Sequence, residues 1–295
     1  MEVAASTERT VQSGLLVTGI GTVVNLFLAA IKIVAGWLGH SYVLIADGIE
    51  SFADVFSSVV VWSGLRVSVK PADEDHPFGH GKAEPIAAGI VSLMLLAAAT
   101  VICVQSIHEI RHPHFPPAPF TLIVLVAVVA VKEIMFRMSS RVGEYLQSTA
   151  VKSDAWHHRS DALTSIAAFV GISIALIGGP GYESADDWAA LFAAGIIAWN
   201  GQRFLRSALD EMMDVSASPE VVREVEQIAM QVKGVESVEK SRVRKSGLHL
   251  AMDIHVRVKG NLTVREGHDI AHEVKKRLLE SQHRINDVTI HIEPA

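Results

Sequence analysis

The sequence predicts an α-helical membrane protein with six transmembrane helices, followed by a small α+β domain at its carboxyl end. Of its 295 residues, 49% are hydrophobic and only 20% are charged, whereas soluble domains carry about 25% charged residues. The mean hydropathy is +0.32. Long apolar runs recur through residues 1–215, and 13 of the 26 Lys and Arg residues lie in residues 216–295. The chain therefore divides into an apolar domain over residues 1–215 and a soluble domain over residues 216–295.

The six predicted spans are apolar runs long enough, alone or with their helical continuation, to cross roughly 30 Å of hydrocarbon. Lys and Arg residues near their ends concentrate on one side, which predicts that both chain termini are cytoplasmic. The acidic amino terminus argues against a cleaved signal peptide, and we expect a prokaryotic inner (plasma) membrane. The runs are 13–37, 42–65, 85–107, 119–136, 162–182 and 188–209.

The carboxyl-terminal domain shows a different periodicity. Apolar and polar residues alternate strictly over 248–258 and again over 287–293, which is typical of half-buried strands. A further strand is predicted at 235–244. Helical periodicity at 218–232, with Ser218 as the N-cap, and at 263–281 completes an α-β-β-α-β order. A small open sheet with two helices on one face is the expected fold.

The second span contains three acids, Asp47, Glu50 and Asp54. An acid inside a bilayer costs about 2.5–3.5 kcal/mol on insertion scales, and such acids usually mark an ion or proton pathway. The spacing of these three places them on one face of a helix. Near the start of the fifth span, His157 and Asp161 share a helical face in the same way.

Two helices that each present such a pair can close four ligands around one cation. The predicted set is Glu50, Asp54, His157 and Asp161, with Asp47 either a supporting neighbour or a spare ligand. The alternative is that these groups cap helices or pair with Lys32 and Arg159.

The loop after the second span, PADEDHPFGHGKAE at 71–84, contains a third set of donors. Asp73, His76 and His80 could hold a metal at the membrane surface, because Pro and Gly residues fold the loop tightly. On spacing alone, a solvated, charged turn is an equally good interpretation.

Taken together, three motifs resemble those of the cation diffusion facilitator family of divalent-metal/proton antiporters. They are LIADGIESFADV in the second span, the loop PADEDHPFGHGKAE, and DAWHHRSDAL at the fifth span, in the family's order and spacing. The resemblance covers essentially the whole chain. It implies a homodimer with six spans per protomer and a cytoplasmic domain of ferredoxin-like, metallochaperone-like shape.

The resemblance also implies where metal binds. The family's transport site falls on Glu50, Asp54, His157 and Asp161, and its loop site falls on Asp73, His76 and His80. Taken singly, the cytoplasmic histidines would be ordinary surface residues, but the family fold would bring several of them together. The implied cytoplasmic site residues are His255, His268, His291, Glu293 and, where some members have His, Glu239.

Glu50 departs from the family pattern, because zinc-selective members commonly place His or Asp there. Three carboxylates and one imidazole form an oxygen-rich set that accepts Zn²⁺ and also suits Fe²⁺, Mn²⁺ or Cd²⁺. Zn²⁺ is therefore only modestly favoured as cargo, and the divalent metal serves as both cargo and regulator.

The expected function is export of a divalent cation from the cytoplasm in exchange for protons. Metal and proton compete for the same ligand lone pairs, and His157 is the natural group to exchange a proton. The alternative is a non-transporting membrane scaffold or metal sensor that uses the cytoplasmic domain. A channel is disfavoured, because a closed four-ligand site binds too tightly for conduction. No motif for an enzyme, an organic cofactor or nucleic-acid binding is found, so the expected partners are metal cations, protons, the lipid bilayer and a second copy of the chain.

Overall fold

The computed structural model describes residues 2–38, 42–111, 121–178 and 185–295. The side chains of Asp47, Glu50 and Asp54 lie outside the described residues. The first six helices are α1 (Glu2–Leu38), α2 (Tyr42–Ser68), α3 (Ala83–Arg111), α4 (Thr121–Leu146), α5 (Thr149–Gly178) and α6 (Ala185–Met212). Among the described residues, Gly14–Val34 and Ala83–Arg111 are long and apolar enough to cross a membrane. The crossing of a membrane by all six helices stays a prediction.

The carboxyl-terminal part folds in the predicted α-β-β-α-β order. Its elements are α7 (Pro219–Met230), β1 (Val235–Ser246), β2 (His249–Val258), α8 (Val264–Leu279) and β3 (Ile285–Pro294). The sheet order is β1-β2-β3, with β1 antiparallel and β3 parallel to the central strand β2. The small mixed sheet confirms the predicted α+β class of this part of the chain.

Local sequence signals define the ends of these elements. Ser218 caps α7 through Val221 N, with Pro219 in the first turn, where its missing N–H removes no helical hydrogen bond. Thr263 and Glu266 form a reciprocal capping box at the start of α8. Those hydrogen bonds from Thr263 lower the pKa of Glu266. The core of this part is built from alternate residues of β2 and the inner faces of α7 and α8, including Ile254, Val225 and Val274.

The chain divides into two compact units. One contains Met1–Glu8, Ser68–Lys82 and Asp210–Ala295, and the other contains Arg9–Val67 and Ala83–Leu209. The loop after α2 therefore groups with the α-β-β-α-β part of the chain. We call these the sheet unit and the helical unit.

In the helical unit, many large apolar side chains are exposed, while several charged and polar side chains are buried. Large apolar residues are exposed on several helices, among them Phe27, Val101 and Ile123. The side chains of Lys32 and Lys132 are, by contrast, almost completely buried. An extensive exposed apolar surface indicates a membrane or protein interaction surface, and charges buried in the interior are typical of ion pathways in membrane proteins.

Candidate metal sites

The intramembrane pair His157 and Asp161 lies on α5, and the continuous helix confirms their predicted one-turn spacing. His157 is buried, and the Asp161 side chain is 14% exposed. Positions 47, 50 and 54 lie on the continuous helix α2, but their side chains lie outside the described residues. The closure of a four-ligand site therefore stays a prediction.

Asp161 contacts a lysine that is not among the site residues predicted from the sequence. Lys132 Nζ lies 2.7 Å from Asp161 Oδ2 and donates a second hydrogen bond to Asn25 Oδ1 at 2.9 Å. Lys132 is fully buried. The sequence offers Arg159 and Lys32 as alternative partners for the intramembrane acids. A usable signal was present, since Lys132 is the first charged residue after a long apolar run.

Each of the two expected cations makes a described contact. The guanidinium of Arg159 lies over the ring of Phe136, 4.3 Å from its centroid. Lys32 Nζ donates to Ser51 Oγ at 2.8 Å. Ser51 follows Glu50 in the sequence. A second buried imidazole–carboxylate pair, His158 and Asp154, lies on α5, with 3.7 Å between Nε2 and Oδ2.

The loop of the sheet unit brings its three predicted donors together. His76 Nδ1 lies 3.2 Å from Asp73 Oδ1, and His80 Nε2 lies 3.4 Å from Asp73 Oδ2. One potential ligand atom from each residue lies within 4.8 Å of the others. The loop is closed by the hydrogen bond from Gly79 N to His76 O, with Gly79 at φ +79°, a conformation that glycine adopts without strain.

Asp73, the acid among the three loop donors, is held in its ionised form. The backbone N–H of His76 donates to Asp73 Oδ1 at 2.7 Å. This hydrogen bond, helped by the two imidazoles, lowers the pKa of Asp73. An ionised carboxylate beside two imidazoles is a donor set that suits Zn²⁺ and other first-row divalent cations.

Polar and backbone contacts join the loop to the rest of the sheet unit. Lys82 Nζ lies 2.5 Å from Asp214 Oδ1 and donates to Glu211 O at 2.7 Å. A Cβ on Gly81 would lie 2.5 Å from Ser246 Oγ and 2.8 Å from Ser246 O. Only glycine therefore fits at position 81 without movement of the β1–β2 turn.

A second group of donors lies on the sheet. His255 on β2 pairs in register with His291 on β3, and Glu293 follows two residues later on the same face. His255 Nδ1 lies 2.6 Å from Glu293 Oε1, and His291 Nε2 lies 3.5 Å from the same oxygen. One ligand atom from each residue lies within 4.8 Å of the others, so parallel pairing of β2 and β3 has assembled a three-donor group.

The two other predicted cytoplasmic residues, Glu239 and His268, do not belong to this three-donor group. Glu239, at the irregular register of β1, binds the guanidinium of Arg257 at 2.8 Å. Its hydrogen bond to Glu293, together with that from His255, lowers the pKa of Glu293. His268 lies on α8, with its ring centroid 4.4 Å from that of His272, and is not one of the three donors grouped on the sheet.

Both parts of the chain match models of known domains. Residues 19–213 match the cation efflux transmembrane domain, and residues 217–295 match the cytoplasmic domain of cation efflux proteins. The chain belongs to the cation diffusion facilitator family. It is thus a membrane protein of a family that transports divalent metal cations.

Relatives of this cation diffusion facilitator align over nearly its whole length. The manganese efflux system protein MneP of Bacillus subtilis is 33% identical over 93% of this chain and 94% of its own. The magnetosome protein MamB of Paramagnetospirillum magneticum is 32% identical over 92% of this chain and 91% of its own. The solved structure MamM-CTD 215-293 covers 26% of this chain and 100% of its own, with 25% identity and a TM-score of 0.26.

Proposed function

We propose that this protein exports divalent cations from the cytoplasm, Mn²⁺ ahead of Zn²⁺, in exchange for at least one proton per cation. The observation that carries the proposal is the pair formed by buried His157 and mostly enclosed Asp161, one turn apart inside the helical unit. In the proposed site, His157 and Asp161 of α5 would supply two ligands, and Glu50 and Asp54 of α2 would supply the other two. Each ligand must lose its proton to bind metal, which couples the two fluxes.

The choice of Mn²⁺ rests on the donor set and on relatives. Carboxylate oxygens suit Mn²⁺, whereas imidazole suits Zn²⁺, and this set contains three carboxylates and one imidazole. The relatives MneP and MneS are named as manganese efflux proteins. The modest preference for Zn²⁺ expected from the sequence alone therefore gives way to Mn²⁺, with Fe²⁺ and Cd²⁺ as further candidates.

A panel of metals tests the cargo. Proteoliposomes that contain the purified chain would be offered Mn²⁺, Zn²⁺, Fe²⁺, Cd²⁺ and Co²⁺ in turn, and uptake rates compared. We expect Mn²⁺ uptake to be the fastest, and Glu50→His to shift the Mn²⁺/Zn²⁺ ratio toward Zn²⁺, whereas Glu50→Asp keeps it. A wild-type preference for Zn²⁺ that Glu50→His leaves unchanged contradicts the Mn²⁺ assignment.

The same panel separates transport from the scaffold or sensor alternative. A sensor would bind metal at the loop and sheet groups but move none across the vesicle membrane. Metal bound without accumulation in proteoliposomes, for every cation tested, would favour the sensor.

We also propose that the protein works as a homodimer whose cytoplasmic domains approach each other when metal binds His255, His291 and Glu293. The metal would then act as regulator as well as cargo. Spin labels on the exposed position Glu236 should report a shorter distance between domains after Zn²⁺ is added. An unchanged distance at saturating metal contradicts this part of the proposal.

A further inference from the structure

Lys132 joins three helices inside the helical unit. It lies on α4, its ammonium donates to Asp161 Oδ2 on α5 at 2.7 Å, and it also donates to Asn25 Oδ1 on α1 at 2.9 Å. Lys132 is fully buried, and Asn25 is buried as well. The contact with Asp161 is a charge-assisted hydrogen bond of normal length, which is stronger than a hydrogen bond between neutral groups.

The position of this lysine needs a reason, because a charged side chain within a membrane span is expensive and usually functional. A lysine near a helix end can extend its ammonium into the interface, but this one is directed into the bundle. Lys132 precedes the amphipathic end of α4, where Arg137 is exposed and pairs with Glu133 on the same helix. Two cations of α4 therefore differ in environment: Arg137 is exposed, whereas the buried Lys132 contacts the carboxylate of Asp161.

We propose that Lys132 is a tethered counter-cation that competes with the cargo for Asp161. This inference rests on the proposed function, which makes Asp161 a cargo ligand. A dication on Asp161 would stand within a few ångströms of the ammonium, and like charges at that separation repel strongly in a medium of low dielectric constant. Cargo binding therefore moves the ammonium off Asp161, and cargo release lets it return.

Lys132 acts on the half of the transport cycle in which the carrier holds no cargo. Without cargo, a buried carboxylate that has lost its partner is strongly unfavourable, and the ammonium of Lys132 supplies the missing positive charge. The reorientation of the carrier without cargo therefore depends on Lys132. The reorientation with cargo does not, because the dication then neutralises Asp161.

Binding of ⁵⁴Mn²⁺ to the full chain in detergent tests the competition. The signal of the intramembrane site is the part that Asp161→Ala removes. We expect Lys132→Gln and Lys132→Met each to tighten this part roughly tenfold, because a charge-assisted hydrogen bond no longer has to be broken. Arg137→Gln, on the same helix, should leave binding unchanged. Binding that is unchanged or weaker in both Lys132 variants overturns the inference.

Transport assays separate this role from a structural one. In proteoliposomes, Lys132→Gln should slow net Mn²⁺ transport but leave Mn²⁺/Mn²⁺ exchange near the wild-type rate, since exchange needs no cargo-free reorientation. An equal loss of both rates overturns the inference and indicates a structural lysine. If Asp161→Ala binds and transports Mn²⁺ like the wild type, the proposed function itself fails, and with it the basis of this inference.

A solid-state NMR measurement on the wild type needs no substitution. Dipolar coupling between lysine ¹⁵Nζ and aspartate ¹³Cγ reports the Lys132–Asp161 contact, with the exposed pair Lys82 and Asp214 as internal standard. Addition of diamagnetic Cd²⁺ should remove the coupling of the buried pair and retain that of the exposed pair. Retention of both at saturating Cd²⁺ overturns the competition.

Discussion

His255 Nδ1 lies 2.6 Å from Glu293 Oε1, across two parallel strands whose register places His255 opposite His291. Parallel pairing therefore supplies one donor from β2 and two from β3, at positions i and i+2, on a single face of the sheet. The hydrogen bonds that Glu293 accepts from Glu239 and His255 lower its pKa. Its carboxylate thus stays ionised well below neutral pH, and the stability it contributes is lost only as the pH falls through this lowered pKa.

The first prediction concerns this group of donors. His291→Ala and Glu293→Ala should each weaken Zn²⁺ binding to the sheet group by roughly 10- to 100-fold, because each removes a donor or a group that orients one. Calorimetric titration of the full chain measures the change. His272→Ala, an exposed histidine outside the group, is the control. Wild-type affinity in both variants would show that the group does not bind metal.

The second prediction concerns the loop. Gly79 has φ +79°, and a Cβ added there would meet its nearest atom, Ala72 N, at 3.9 Å. Only the backbone conformation therefore opposes a side chain at this position. Gly79→Ala should disfavour the closed loop by roughly 1 kcal/mol and weaken metal binding by Asp73, His76 and His80 several-fold.

The matched control for the loop is Gly79→Asn, because asparagine tolerates the left-handed conformation better than alanine. It should bind metal more tightly than Gly79→Ala. Metal affinity is measured by equilibrium dialysis. Equal affinities of the wild type and both variants would show that the backbone conformation at Gly79 does not support metal binding by the loop.

The third prediction concerns the start of α5. Fully buried Glu84 accepts from Ser148 Oγ at 2.6 Å and from Ala150 N at 2.7 Å through one oxygen, Oε1. Glu84→Ala should destabilise the full chain by about 1–3 kcal/mol, because it leaves buried donors without an acceptor. Glu84→Gln retains an acceptor and should lose less. Thermal unfolding in detergent measures both, and equal melting temperatures for the wild type and Glu84→Ala would disprove the capping role.

The fourth prediction concerns pH. Burial and the charge of Arg284 lower the pKa of His249 from its usual 6.5, against an opposing backbone hydrogen bond. As the pH falls through that usual value, the unfolded chain takes up a proton on His249 that the folded chain does not, so the stability of β2 decreases. His249→Gln should reduce this acid sensitivity, whereas His272→Gln should not. Hydrogen exchange of residues 249–258, corrected for the intrinsic rate, reports the difference.

Much of the sheet unit could be predicted from sequence, because its signals are local. Alternation over 248–258 gives the buried face of β2, and Ser218 caps α7 as expected. His268 shows where such signals need a further step. It follows Gly267, which is buried with Val274 and Leu278. Because neighbouring residues on a helix point about 100° apart, His268 lies off this buried face of α8.

The contact between Lys132 and Asp161 could not be predicted, because it depends on how α1, α4 and α5 rotate and pack. Helical spacing fixes which residues share a face on one helix but not which face meets a neighbour. For the same reason, the sequence suggested Lys32 and Arg159 as partners for the intramembrane acids. The described contacts of those residues include Ser51 and Phe136.

The most direct test of the central claim is Mn²⁺ accumulation by proteoliposomes under an imposed pH gradient, acid inside, with a pH-sensitive dye in the lumen. The wild-type chain should take up Mn²⁺ and alkalinise the lumen in parallel. Asp161→Ala and Asp54→Ala should abolish both signals, while Asp75→Ala, an exposed acid of the loop, should retain them. Mn²⁺ accumulation at the wild-type rate in Asp161→Ala, or uptake without any change in luminal pH, would contradict proton-coupled efflux through this site.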